Sequence, residues 1–141
     1  TVPFKGGIVT NLGREMHITN LTIQGGGFAP SAGGVLNGVF FEDADGTVSN
    51  VTVRNITQHS SFGLGIGLRV NGPLDGTPRT VTITNYVTSG FNKAGLVASN
   101  LATVNVSSSE IGPPDPLPPG TIAQNEVQYG AGGGGGPGPG L

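Results

Sequence analysis

Two Asp-Gly-Thr tripeptides stand thirty residues apart, at 45–47 and 75–77, with Glu42 and Asp43 just ahead of the first. Carboxylates stacked at that spacing repel unless a cation or solvent separates them, which makes Asp45 and Asp75 a weak candidate for a Ca2+ site. The competing reading is turn chemistry: Asp-Gly is a common pair between strands, and oxygen ligands this sparse seldom form a cage. Other reactive groups do not converge. His17 and His59 fall at unrelated positions of the repeat described below and have no Cys partner. Ser60, Ser61 and Ser107 to Ser109 lack a His–Asp arrangement that would activate a hydroxyl. The glycine run near residue 134 has neither the Lys-Ser/Thr nor the following helix of a phosphate loop. Sequons at Asn20, Asn50, Asn55 and Asn105 permit glycosylation, but Asn alternating with Thr along strands generates most such triplets by itself. No catalytic residue and no resident metal or cofactor is expected, Ca2+ at the Asp pair being the one possibility held open.

The elements that must carry these residues come from a long repeat. One series reads GGIVT (6–10), NGVFF (37–41), IGLRV (66–70), AGLVA (94–98) and NEVQY (125–129), with first inward residues Ile8, Val39, Leu68, Leu96 and Val127. A second reads NLTIQ (20–24), NVTVR (50–54), TVTIT (80–84) and TVNVS (103–107). In it Leu21 and Ile23, Val51 and Val53, Val81 and Ile83, and Val104 and Val106 alternate with Asn, Thr and Ser, as in a strand with one buried face. Helical periodicity is absent, and Gly, Thr, Asn and Val dominate where helix formers would be needed. A repeat of about 30 residues carrying short strands predicts one coil of a solenoid, whose coils stack at about 4.8 Å so that equivalent residues form ladders. Val51 then lies beside Val81 as a core rung. The outer columns are Thr22, Thr52, Thr82, Asn105 and Gln24, Arg54, Thr84, Ser107, with Val9, Phe40, Arg69, Val97, Gln128 on the first series; none contains a carboxylate.

Composition narrows the classes. The 141 residues form one domain with enough chain for a core; 10% are charged, the net charge is −2, and Cys and Trp are absent. That charge gives no electrostatic grip on nucleic acid, and no apolar run reaches the roughly 20 residues of a spanning helix. A first residue of Thr rather than Met, with no Cys, fits a processed chain that is secreted or lies at the cell surface.

The segments VTVRNIT, ITNYVTSGFNKAGLVASN and TIAQNEVQYGAG carry a resemblance to the secreted right-handed parallel β-helix proteins of the pectate-lyase-like superfamily, over residues 6–130. The resemblance implies an all-β fold: a right-handed single-stranded parallel β-helix of about four to five coils. It implies function only broadly, since the superfamily includes polysaccharide lyases and hydrolases as well as proteins of unassigned role. The enzymes need paired carboxylates, or Ca2+-binding Asp with a base, on an outer wall, and the outer columns here have neither.

The expected organisation is therefore a β-helix domain over 1–129 and an extended Gly/Pro-rich tail over 130–141. The prolines of 112–121 and the glycines of 25–34 predict excursions from the stack. Open strand edges at both ends, with no capping helix in the sequence, predict head-to-tail homo-oligomers that grow into a filament. Val9, Phe40 and Val97 are expected to form an outward apolar strip, and Gly132, Gly134, Pro137 and Pro139 an extended segment that lies across the junction or along that strip. The expected function is an extracellular structural protein. The alternatives are a carbohydrate-binding or adhesive surface module with a polysaccharide partner and, less favoured, a polysaccharide lyase or hydrolase.

Overall fold

Alternating apolar and hydroxyl residues over four to six positions make strands, and the interrupting Gly, Asn and Asp residues make bends between them. The computed structural model describes residues 4–26, 34–57, 64–112 and 125–130. Every regular element in them is a strand: β1 (Phe4–Leu12), β2 (Met16–Gln24), β3 (Gly34–Glu42), β4 (Gly46–Ile56), β5 (Leu64–Asn71), β6 (Arg79–Phe91), β7 (Ala94–Ser99), β8 (Ala102–Ser107), β9 (Glu110–Ile111) and β10 (Asn125–Gly130). Among the described residues no helix is long and apolar enough to cross a membrane. Of the excursions predicted at 25–34 and 112–121, residues 27–33 and 113–121 lie outside the described residues, as do His59 and the tail residues Gly132, Gly134, Pro137 and Pro139; Gly25, Gly26 and Gly112 lie outside the strands as expected, whereas Gly34 begins β3.

The strands form two sheets, and every pairing is parallel. The first sheet runs β1-β3-β5-β7-β10, and the second runs β2-β4-β6-β8, with β9 also pairing β6. Each odd-numbered strand from β1 to β7 is followed in the chain by an even-numbered strand of the other sheet, so the protein is built in levels: β1β2, β3β4, β5β6, β7β8, and then β10 alone in the first sheet. The core lies between the sheets. Val39, Leu68 and Leu96 of the first meet Val48, Val51, Val53, Ile83 and Tyr86 of the second, with Val127 against the same cluster.

Two registers differ from the sequence reading. In β1 it is Val9, not Ile8, that pairs with Val39 and packs on the core; Ile8 is 49% exposed. A one-residue slip exchanges the two faces of a strand, so Val9 leaves the outward column and Thr10 takes its place beside Phe40. Between β4 and β6 the slip is five residues: Val48 pairs with Ile83, Val51 with Tyr86 and Val53 with Thr88, while Val81 lies beside Gly46. The cause is a corner. Asn20, Asn50, Asn85 and Ser108 hold left-handed backbone at φ 54°, 54°, 52° and 49°. Setting Val51 beside Val81 would have put Thr80 at the corner, and a β-branched residue is strongly disfavoured there, whereas Asn tolerates it. The corner therefore selects Asn85, and the strand follows. Val51, Val53, Val81 and Ile83 are all fully buried as expected, but Val104 is only partly covered and Val106 is 44% exposed.

Candidate functional site

Beginning with the carboxylates, the structure separates Asp45 from Asp75. The pairing offset in this part of the second sheet is 35 residues, so Thr80, not Asp75, occupies the place beside Asp45; its N–H donates to Asp45 Oδ1 at 2.7 Å. Asp75 sits exposed between β5 and β6. Arg79 closes the cluster from the other side, with Nε donating to Asp43 Oδ1 at 2.7 Å and Nη1 to Asp45 Oδ2 at 3.3 Å. The hydrogen bond to Asp43, with Asp45 behind it, raises the guanidinium pKa. Asp43 adopts φ 49°, so this trio pins the bend that leads from β3 into β4. Its oxygens face an arginine and an amide, which is an anchoring arrangement. Among the described residues no group of three or more His, Cys, Asp or Glu side chains gathers as metal ligands do. His17, exposed on β2, has Nδ1 2.9 Å from Thr47 Oγ1 and Nε2 3.2 Å from Glu15.

The outward face of the first sheet is more charged and more covered than the sequence suggests. Phe40, Arg69 and Val97 form its central column. Phe40 and Val97 are only 3% and 7% exposed, and Val97 belongs with Ile66, Ala94 and Val35 to a second apolar cluster apart from the core. The expected exposed strip of Val9, Phe40 and Val97 is therefore not present: one member faces the core and two are buried. The Arg69 guanidinium carbon stands 5.9 Å from the Phe40 ring centre, within cation–π range. Burial lowers the Arg69 pKa, against the opposing field of Glu42. Beside that column Asn71 Oδ1 accepts from Ser99 Oγ at 2.8 Å and from Asn100 Nδ2 at 2.9 Å. The named columns contain no carboxylate; Glu42 follows Phe40 by two positions on β3 and pairs in register with Asn71 of β5.

The corner asparagines form a row that sequence reasoning missed. Asn50 Nδ2 donates to Asn20 Oδ1 at 3.1 Å, and Asn85 Nδ2 donates to Asn50 Oδ1 at 2.9 Å. The signal was present: an aliphatic residue, a Ser or Thr, an Asn and an apolar residue recur at 18–21, 48–51 and 83–86. Because each amide donates toward the lower-numbered level, the row has a direction, and its two ends are chemically different.

Those ends are the most distinctive surfaces of the molecule. Among the described residues β1 and β2 pair on one side only, as do β8 and β10 at the opposite end. The core columns continue into both surfaces. Leu21, 36% exposed, begins the column that continues through Val51 and Tyr86, while Val106 ends the one that contains Ile18, Val48 and Ile83. Unpaired strand edges beside exposed core-column side chains are templates for further parallel strands. No protein-family model, no curated protein and no solved structure matches this chain.

Proposed function

We propose that this is a self-assembling structural protein, whose two sheets are walls of one right-handed parallel β-helix and whose copies join end to end along the stacking direction. The observation that carries the reading is the pair of ends at which, among the described residues, the outermost strands pair on one side only and apolar residues of the core columns lie exposed. The end formed by β1 and β2 differs from the end formed by β8 and β10, so the contact is heterologous, and such contacts propagate unless they close into a ring. The low charge, 10% of residues, leaves few repulsions to oppose stacking. Absence of Cys and the β-helix resemblance favour an extracellular setting.

The test is direct. Residues 1–141 should form concentration-dependent polymers visible by negative-stain microscopy and light scattering. Leu21→Lys, which places a charge on an exposed end rung, should suppress them while leaving the monomer's strand signal in circular dichroism unchanged. A parent protein that remains monomeric at millimolar concentration overturns the proposal.

A further inference from the structure

An end-to-end contact would leave the outer wall of the second sheet free, and three reactive groups meet there. Residues 17, 47, 82 and 105 pair in register across β2, β4, β6 and β8. His17, Thr47, Thr82 and Asn105 therefore form one outward column, with rungs about 4.8 Å apart. The register is held from beneath, because the next residue along β2, β4 and β6 (Ile18, Val48 and Ile83) is buried in the core. Within the column His17 Nδ1 lies 2.9 Å from Thr47 Oγ1, and Nε2 lies 3.2 Å from a Glu15 carboxylate oxygen. We propose that this column is an acyl-transfer site, in which His17 activates Thr47 as a nucleophile toward activated carboxylic esters.

The chemistry requires a hydroxyl within reach of a base and a third group that orients the base. A carboxylate beside Nε2 favours the tautomer with its proton there, which leaves Nδ1 to accept from the Thr47 hydroxyl. Thr47 Oγ1 attacks the ester carbonyl carbon, and its proton passes to His17 Nδ1. The oxyanion of the tetrahedral intermediate faces the next rung, where the exposed Thr82 hydroxyl can donate to it. The bond from the carbonyl carbon to the leaving alcohol oxygen then breaks. Nδ1 returns the proton to that oxygen, and the acyl group stays on Thr47. Water activated by the same imidazole can release the acid and restore the hydroxyl. The neighbouring outward column, Thr19, Ser49, Thr84 and Ser107, carries no charge, so the surface suits a neutral acyl group.

Incubation with p-nitrophenyl acetate, followed by peptide mass spectrometry, tests the site on full-length protein. Thr47 should be acetylated about a hundredfold faster than Thr19 and Thr103, exposed threonines of the same wall that pair with Ser49 and Thr80 instead of a histidine. His17→Gln should bring Thr47 down to the rate of those two, with circular dichroism unchanged because the side chain is exposed. In the parent the Thr47 rate should climb with pH and level off once the imidazole is neutral; His17→Gln should remove that plateau. Glu15 is a positioning residue: Glu15→Gln should slow the reaction severalfold, and Glu15→Asp should recover most of it. Thr82→Val should slow it about tenfold or more while keeping the plateau. Equal acetylation of Thr47 and Thr103 in the parent overturns the proposal, as does a Thr47 rate untouched by His17→Gln. Neither result depends on whether polymers form, so the end-to-end reading stands or falls separately.

Discussion

β4 and β8 are written alike and sit in different surroundings. Both alternate valine with Ser, Thr or Asn, yet Val51 and Val53 of β4 are fully buried while Val106 of β8 is 44% exposed. The difference is one of neighbours. β4 has β2 on one side and β6 on the other; β8 has β6 alone among the described strands. Alternation decides which face a residue shows, and the next level decides whether that face is covered. A valine in an end level contributes little until something stacks on it, so the same residue type is a core residue in the middle of the protein and a half-exposed one at its end.

The largest test of that contrast is a matched pair of charges. Val81→Asp, in a fully buried site, should cost more than about 4 kcal/mol and abolish cooperative urea unfolding, whereas Val106→Asp should cost less than about 1 kcal/mol. Similar costs would erase the distinction between middle and end. A second pair sharpens it at the corners. Asn50→Val forces a β-branched residue to φ 54° and breaks the amide row, for about 2–4 kcal/mol; Asn50→Gly loses only the row, for about 1 kcal/mol. Ser108→Gly, at the end corner, should shift the urea midpoint by less than about 0.5 kcal/mol equivalent. If Val and Gly at 50 behave alike, left-handed backbone is not what selects asparagine.

The smallest effect reads the depth of the middle levels. The Tyr86 hydroxyl donates to Gly95 O at 3.2 Å, and burial pushes its pKa upward against the opposing effect of Thr88. The unfolded chain ionises this phenol near about pH 10, the folded chain only well above it. Stability is therefore complete below about pH 10 and lost as the pH rises past that point, by about 1.4 kcal/mol at pH 11. Tyr86→Phe should remove that part of the alkaline decline in urea titrations. An unchanged decline would mean that the phenol is not isolated from water. The backbone close to it is tight: a methyl group on Gly67 would lie 2.8 Å from the Tyr86 hydroxyl and 2.6 Å from Gly95 O.

The period and the parallel strands were legible because two-residue alternation and a repeat of about 30 residues survive in the bare sequence. The register of β6 was not. VTV at 51–53 and VTI at 81–83 match by type, and only the handedness demanded at Asn50 and Asn85 separates the true pairing from the false one. Ile8 and Val9 are adjacent aliphatics, so nothing local chooses between them; pairing with Val39 does. Burial of Phe40 and Val97 was likewise invisible, because alternation predicts a direction and says nothing of what lies beyond the sheet. Arg79 shows the same limit. Its meeting with Asp43 and Asp45 depends on a 35-residue offset that the thirty-residue spacing of the Asp-Gly-Thr pair concealed.

Every strand pairing described here is parallel, and successive levels are joined by hydrogen bonds that run along the direction of stacking. A pull applied along that direction loads the levels in series, with all bonds of one level sharing the tension. Among the described strands the terminal levels have one neighbour each, where every interior level has two. If copies join end to end as proposed, the assembly would yield under load at the joints between copies, and broken ends would be chemically the same as fresh ones. Such an assembly would mend by the contact that built it.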